Sequence, residues 1–288
     1  MKRKDLGIAA AAILAGLYAF FCPLLNEGLY ELVAIYPTRE PMDIFTPYVM
    51  AGFTGEHRLI PFTDSAGNEL KMHGIYFRAK TKNDRPVALF SKGNGYCVRH
   101  LLDSKPLIIL LQLGYDVFIY DYQGFGESQG KASYKKLGDD GVVAFDFLKN
   151  TMRKDKIFLY GMSMGTGVSS YIAERRPVLG VIMDSPFTTP EYTLKTWCPP
   201  LFVYPSAFFP EPRYDNEKFV TGKHPPMLIL TKGQDSVTSP EQGLKLARIG
   251  SPKIESLFMP HSAHSYVACD EEAVYTNRLA AFLSKIDR

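Results

Sequence analysis

Gly161-Met162-Ser163-Met164-Gly165 follows an apolar run, Lys156-Ile-Phe-Leu-Tyr160, and precedes a segment of helical character, Thr166 to Arg175. A G-x-S-x-G set between a strand and a helix turns the chain so sharply that the serine backbone is strained, and the flanking glycines let neighbouring elements approach. The turn lifts the Ser163 hydroxyl above the sheet edge and aims the backbone N–H of Met164 at the same space. One short pattern therefore offers a nucleophile and half of an oxyanion hole. The bland alternative is a Gly/Ser turn in an ordinary α/β domain. The flanks weigh against it, because Val178-Leu-Gly-Val-Ile-Met183 reads as a second buried strand. Strand, turn, helix and strand in succession make a βαβ unit, which implies a parallel sheet.

A nucleophilic serine needs a base, and the base needs an orienting acid. Pro226-Met-Leu-Ile-Leu-Thr231 reads as a strand that runs into a polar loop holding Asp235. Ile254-Glu-Ser-Leu-Phe-Met259 reads as another, running into Pro260-His-Ser-Ala-His264. Serine, acid and histidine then fall in that order beyond the carboxyl ends of parallel strands, where such sheets hold their sites. His261 competes with His264 as the base, and His264 is preferred because it lies deeper in the loop. Asp184, at the end of the 178–183 strand, competes with Asp235 as the acid; its plain reading is a cap ahead of Ser185-Pro186.

Strands are expected near 56–64, 69–79, 86–91, 115–121, 156–162, 178–184, 225–231 and 253–259, and helices near 98–113, 138–150, 164–175, 239–249 and 267–285. The first two strands adjoin through Asp64-Ser-Ala-Gly-Asn68, a hairpin signal. The alternation breaks at residues 187–222, which hold Tyr192, Trp197, Phe202, Tyr204, Phe208, Phe209, Tyr214 and Phe219. That stretch reads as a lid whose aromatics line an acyl pocket, pack the insertion onto the core, or both. The chain shows no internal repeat. Gly124-x-Gly126 does not continue as a dinucleotide fingerprint, since position 129 is Gln129.

Four stretches together resemble the α/β-hydrolases of the serine-aminopeptidase and monoacylglycerol-lipase-like group, and within it the membrane-associated α/β-hydrolase-domain proteins. They are Phe90-Ser-Lys-Gly-Asn-Gly95, Asp121-Tyr-Gln-Gly-Phe-Gly-Glu-Ser128, Gly161 to Gly165 with Asp184-Ser-Pro-Phe187, and Gly233-Gln-Asp235 with His264. The resemblance spans about residues 56–288. It implies an α/β-hydrolase fold: a mostly parallel, doubly wound sheet of about eight strands with a short aromatic lid. It implies Ser163, Asp235 and His264 as the triad and the backbone N–H of Asn94 as the second oxyanion donor beside Met164. The family loop usually begins His-Gly. Here Lys92 stands in place of the histidine, either as a solvated loop charge or as an attractor for an anionic group.

The amino terminus is basic, Met1-Lys-Arg-Lys-Asp5, and residues 6–26 carry no charge. Leu6 to Leu25 would rise roughly 30 Å as a helix, the thickness of a hydrocarbon core. The expected organisation is therefore an N-terminal membrane anchor or signal peptide over residues 1–26, a juxtamembrane linker over 27–55 and a catalytic domain over 56–288. Lys2, Arg3 and Lys4 would stay cytoplasmic and the catalytic domain would face outward, anchored or released after cleavage. Because every candidate catalytic residue lies beyond Lys92, a chain starting near Thr54 is expected to be active. Cys97, Cys198 and Cys269 allow at most one disulfide in that domain, and no ligand spacing for a metal appears. A net charge of +3 is too small to argue for nucleic acid.

The sequence thus reads as a serine hydrolase of carboxylic esters or thioesters, acting on a hydrophobic ester or acyl substrate without cofactor or metal. A serine peptidase of aminopeptidase type is the enzymatic alternative; it would need an acidic receptor for a substrate amino terminus, for which Glu191, Glu211, Asp215 and Glu217 are available. A catalytically silent scaffold acting as a binding protein is the alternative of another class.

Overall fold

The computed structural model describes residues 3–64, 66–80, 84–250 and 252–287. Among the described residues, nine strands form one sheet in the order β1-β2-β3-β5-β4-β6-β7-β8-β9. They are β1 (Tyr48–Met50), β2 (Phe53–Thr63), β3 (Glu69–Phe77), β4 (Val87–Ser91), β5 (Val117–Tyr120), β6 (Ile157–Met162), β7 (Val181–Asp184), β8 (Met227–Lys232) and β9 (Ile254–Met259). The first three and the β3–β5 pair are antiparallel; every pair from β5 through β4 to β9 is parallel. Strands β4 to β8 are buried along their whole length. That is why they read as continuous apolar runs rather than as alternations.

Successive residues of each strand serve opposite faces of the sheet. Leu89, Leu159, Val181 and Ile229 pack on one side, and Phe90, Tyr160, Ile182 and Leu230 on the other. From β4 the chain crosses to β5 on one flank, and from β5 it returns to β6 on the other. The order therefore reverses between β4 and β6, and the crevice at the carboxyl ends of these two strands is the place where such sheets hold ligands. Their register pairs Ser91 with Gly161, so the loop after β4 is delivered against the turn after β6.

Ten helices are described: α1 (Arg3–Phe21), α2 (Glu27–Ala34), α3 (Val98–Leu101), α4 (Lys105–Gln112), α5 (Leu137–Asp146), α6 (Met164–Ala173), α7 (Pro190–Trp197), α8 (Asn216–Thr221), α9 (Pro240–Ile249) and α10 (Glu272–Ile286). The helix expected over 98–113 is broken into α3 and α4. Pro106 explains the break: its ring would collide with the carbonyl four residues earlier in a continuous helix. The final helix begins at Glu272 rather than near 267, because residues 263–266 form a small bridged turn. The hairpin at 64–68 is present, with the Asp64 carboxylate accepting from the N–H groups of Ala66 and Asn68; Ser65 of that turn lies outside the described residues.

The amino terminus departs from the sequence reading in two respects. First, among the described residues no helix is long and apolar enough to cross a membrane. The uncharged stretch does not stay helical to Leu25: α1 stops at Phe21, two residues before Pro23, and the chain turns before Asn26 caps α2. The uncharged helical part, Leu6 to Phe21, rises only about 24 Å at ~1.5 Å per residue, short of the ~30 Å of a hydrocarbon core. Met1 and Lys2 of the basic end lie outside the described residues. Second, residues 27–55, expected as a juxtamembrane linker, carry residues that pack into the core. Tyr30, Ala34 and Ile35 are buried in the core on one face of the sheet, Met50 and Phe53 in the core on the other. Strand β1 extends the sheet through a two-residue turn, Ala51 (φ 47°) and Gly52 (φ 77°), between paired Met50 and Phe53. Positive φ at both positions is the turn that suits the twist of a hairpin; Ala-Gly hides it from a sequence reading.

Helix α1 makes little of the fold. Its residues from Ala10 to Phe21 are exposed, and its ring contact with the domain, Tyr18 on Tyr204, is near its end. Deleting residues 1–16 is therefore expected to leave the thermal midpoint within about 2 °C, since exposed positions contribute little to stability. Calorimetry on the shortened and full chains checks this, and a fall above about 5 °C would mean that α1 packs on the domain.

Candidate active site

Ser163 sits between β6 and α6 with φ 54° and ψ −120°. A non-glycine residue there carries about 1–3 kcal/mol of backbone strain, held in place by its surroundings. The surroundings are close. A Cβ on Gly165 would lie 1.9 Å from the Ser91 carbonyl oxygen, and one on Gly161 would lie 2.4 Å from the Gly165 carbonyl oxygen. Both glycines are therefore required by backbone approach. The Ser163 N–H donates to the Asp184 carbonyl at 2.9 Å. Met164 opens α6, so its N–H is one of the first-turn donors with no partner inside the helix.

The loop after β4 lies directly against this turn. A Cβ on Gly93 would be 3.2 Å from Ser163 Cβ, and Asn94 lines the same pocket as Ser163 and Met164. Lys92 does not point at that pocket, nor is it a solvated charge. It is fully buried, with Nζ donating to the Tyr96 carbonyl at 2.7 Å, 3.6 Å from Asp121 Oδ1 and over the rings of Phe125 and Tyr122. Burial pushes its ammonium down to about 8 against the raising pull of Asp121. Asp121 also accepts from the N–H of Val98. The Asp121–Ser128 stretch thus braces the loop that ends β4 rather than binding a ligand itself.

Asp235 and His264 meet. His264 Nδ1 is 2.8 and 2.9 Å from the two Asp235 oxygens, while the carboxylate also accepts from the N–H groups of Val237 and Thr238. Burial raises the Asp235 carboxyl, but the bond and charge of His264 and these N–H donors outweigh it and hold it below the usual carboxylate range. Thr238 joins the pair to the serine side of the site. Its hydroxyl is 2.9 Å from Asp235 Oδ2 and 3.3 Å from His264 Nδ1, and the residue lines the pocket with Ser163. His261 points elsewhere, with Nδ1 2.6 Å from Asp270 on the exposed surface.

Asp184 does not reach the imidazole; it works from behind. Lys232 and Asp184 are both fully buried, with Nζ 2.7 Å from Asp184 Oδ1. The same Nζ donates to the His264 carbonyl at 3.0 Å, and the Ser185 hydroxyl donates to that carbonyl at 3.0 Å. Asp184 Oδ2 accepts from Tyr160, whose hydroxyl is 2.7 Å from that of Tyr275. A buried ion pair therefore fixes the backbone of the histidine. Sequence reading missed Lys232, Thr238 and Ser185. The signal for Thr238 was present: an acid followed three residues later by a hydroxyl is a local capping pattern. Lys232 gave none, because a lysine beside Gly233 reads as solvated.

The pocket at Ser163 has a volume of about 60 Å³. Trp197 alone of the eight lid aromatics lines it, beside Leu194 and Phe187. Tyr204, Phe209, Tyr214 and Phe219 are buried core, so half of the lid aromatics fasten the insertion rather than form the pocket. All four cysteines are free. Among the described residues no group of His, Cys, Asp and Glu could hold a metal ion.

A family model described as serine aminopeptidase, S33, matches residues 107–218, a span that includes Ser163 and most of the lid and ends before Asp235. The α/β-hydrolase domain-containing protein aho-3 of Caenorhabditis elegans is 31% identical over 70% of this chain and 58% of its own length. Lysophosphatidylserine lipase ABHD12 of Macaca fascicularis is 30% identical over 50% of this chain and 40% of its own length. The chain thus spans about half the length of these two relatives. The human α/β-hydrolase domain-containing protein 17B is 29% identical over 77% of this chain and 73% of its own length. Among solved structures, an esterase of Pyrococcus furiosus superposes with a TM-score of 0.64 at 17% identity, over 87% of this chain and 99% of that one. An α/β-hydrolase of Vibrio vulnificus gives 0.62 at 22% identity, over 78% and 81%. These likenesses show the fold, the α/β-hydrolase fold.

The buried pair makes a stability prediction. Asp184→Asn leaves the Lys232 ammonium uncompensated and should cost about 3–5 kcal/mol, most of it recovered when Lys232→Met is added. Urea unfolding measures both; a single variant within about 1 kcal/mol of the parent would refute the ion-pair account. Asp235 makes a pH prediction. A carboxyl held low in the fold adds stability that is present above its unfolded value, near pH 4, and lost as pH falls through its folded value. Asp235→Asn should therefore flatten the loss of stability on the acid side, and an unchanged acid limb would contradict the pairing with His264.

Proposed function

This chain belongs to the α/β-hydrolase superfamily, and from that premise we propose that it is a serine hydrolase of carboxylic esters or thioesters with a short, apolar acyl group. The observation that carries the proposal is the strained Ser163, with Gly93 so close that a Cβ there would stand 3.2 Å from Ser163 Cβ, and with helix α6 beginning at the next residue. In this reading Ser163 Oγ attacks the substrate carbonyl carbon while His264 takes its proton. Asp235 accepts from Nδ1–H, fixes the tautomer and supports the imidazolium. The N–H groups of Met164 and Asn94 receive the developing oxyanion, where a preorganised donor is worth about 10²–10³ in turnover. Collapse expels the alcohol or thiol, which takes the proton from His264. Water, deprotonated by the same histidine, then cleaves the acyl-enzyme and restores Ser163.

The pocket supports the substrate class. About 60 Å³ lined by Phe187, Leu194, Trp197 and Val237 is several times the ~10–15 Å³ that one water needs and suits a few carbons. The acidic side chains that an aminopeptidase would need are engaged. Glu191 pairs with Lys195, Glu217 with Lys245 and Glu211 with Arg213, and Asp215 caps α8. That favours the ester over the peptide substrate.

Ser163→Ala should lower hydrolysis of an activated short-chain ester by about 10³-fold or more and abolish labelling by a fluorophosphonate, with the circular dichroism spectrum unchanged. A variant that keeps near-parental turnover would remove Ser163 from the mechanism, and a parent chain that neither labels nor hydrolyses would favour the silent scaffold.

A further inference from the structure

The segment ahead of the sheet reaches into the site. After α2 the chain continues, outside any helix or strand, through Tyr36 and Thr38. Ala34 lines the same pocket as Ser163, Met164 and Trp197. The Asn94 side chain is held at both ends by this segment: Nδ2 donates to the Ala34 carbonyl at 3.0 Å, and Oδ1 accepts from the Tyr36 N–H at 2.9 Å. Thr38 extends the clamp, its hydroxyl donating to the Gly95 carbonyl at 2.7 Å and its carbonyl accepting from the Gly126 N–H at 2.8 Å. Farther along, the Arg39 guanidinium donates to the carbonyls of Gly124 and Gly130. On the other side of Ala34, Glu31 accepts from the Ser133 hydroxyl and the Tyr134 N–H, and Tyr134 also lines the pocket.

We propose that residues 34–38 are a positioning strap for the reaction: they orient Asn94, and Ala34 sets the length of acyl group that the pocket admits. This rests on the serine-hydrolase reading above. A primary carboxamide whose donor and acceptor are both bonded to one backbone segment is fixed in orientation as well as place. Its residue is the one whose backbone N–H faces the oxyanion, and a donor aimed before the reaction costs no reorganisation during it. Misaiming that donor weakens the transition state and leaves substrate binding nearly untouched, so the loss falls on kcat. Ala34 acts differently. Ala34 is the strap's share of the pocket wall, and a larger side chain there takes volume that the acyl chain would fill. A chain starting near Thr54 lacks the strap, so it is expected to fold without a competent site rather than to be active.

The test uses the full chain and p-nitrophenyl acetate and butanoate. The parent should prefer butanoate, since each buried methylene is worth about 0.8 kcal/mol. Ala34→Leu should reverse that preference, lowering the butanoate-to-acetate ratio of kcat/KM about tenfold or more, as expected for two displaced methylenes. Asn94→Ala should lower kcat on acetate about tenfold or more with KM nearly unchanged. Thr38→Val, which removes one bond of the clamp, gives a smaller loss of the same kind and covers the case in which Asn94→Ala fails to fold. Leu32→Ala, on the exposed side of α2, should leave the ratio alone. An unchanged ratio in Ala34→Leu, or kcat within twofold of the parent in both Asn94→Ala and Thr38→Val, overturns the strap. A parent chain that is neither active nor labelled by a fluorophosphonate overturns the hydrolase reading and the strap with it, whereas an active, labelled parent with indifferent variants overturns the strap alone.

Discussion

The backbone of Ser163 is held at a positive φ, and the rest of the site is arranged around keeping it there. A strained residue survives only when its neighbours leave it no alternative. Here Gly161 and Gly165 allow the strand and helix to close on the turn, the register of β4 on β6 brings Gly93 against it, and the Asp184 carbonyl takes the Ser163 N–H. Any side chain at Gly165 would strike the Ser91 carbonyl. The conformation of Ser163 is therefore a property of three strands rather than of a pentapeptide.

Buried charge does the second part of the positioning. Two lysines, Lys92 and Lys232, stand at the ends of β4 and β8 with no exposed surface. Each is balanced by an aspartate at the end of a neighbouring strand, Asp121 beyond β5 and Asp184 on β7. Neither lysine faces the pocket. Each spends an N–H on a loop carbonyl, Tyr96 in one case and His264 in the other. Such pairs are weak contributors to net stability but severe when broken, which suits them to fixing the loops that border the site. The strap adds a third constraint from outside the sheet, and the loop at Asn94 is gripped from below by Lys92 and from the side by residues 34–38.

The sequence made the sheet legible because its central strands are apolar throughout and its turn at Ser163 has a pattern that strand and helix flank. Chain order suggested a serine, an acid and a histidine; of these, Asp235 meets His264, while His261 turns to Asp270. What stayed hidden depends on distance in sequence. Asn94 and Tyr36 are 58 residues apart, and their bond involves a backbone group that every residue possesses. A lysine reads as solvent-facing until the strand beside it supplies a carboxylate, so Lys92 and Lys232 were illegible for the same reason. At the amino terminus, residues 6–25 have the composition of a span, but the helix stops at Phe21, ahead of Pro23.

The central claim is that Ser163, the N–H groups of Met164 and Asn94, and the Asp235–His264 pair converge on one carbonyl carbon. A crystal structure of the protein after reaction with a small fluorophosphonate tests it most directly, because the adduct carries a tetrahedral centre and an oxygen where the oxyanion would stand. The account predicts phosphorus bonded to Ser163 Oγ, the phosphoryl oxygen within about 3 Å of both backbone nitrogens, and the strap still clamped on Asn94. A phosphoryl oxygen turned away from Asn94, or phosphorus on another side chain, would contradict it.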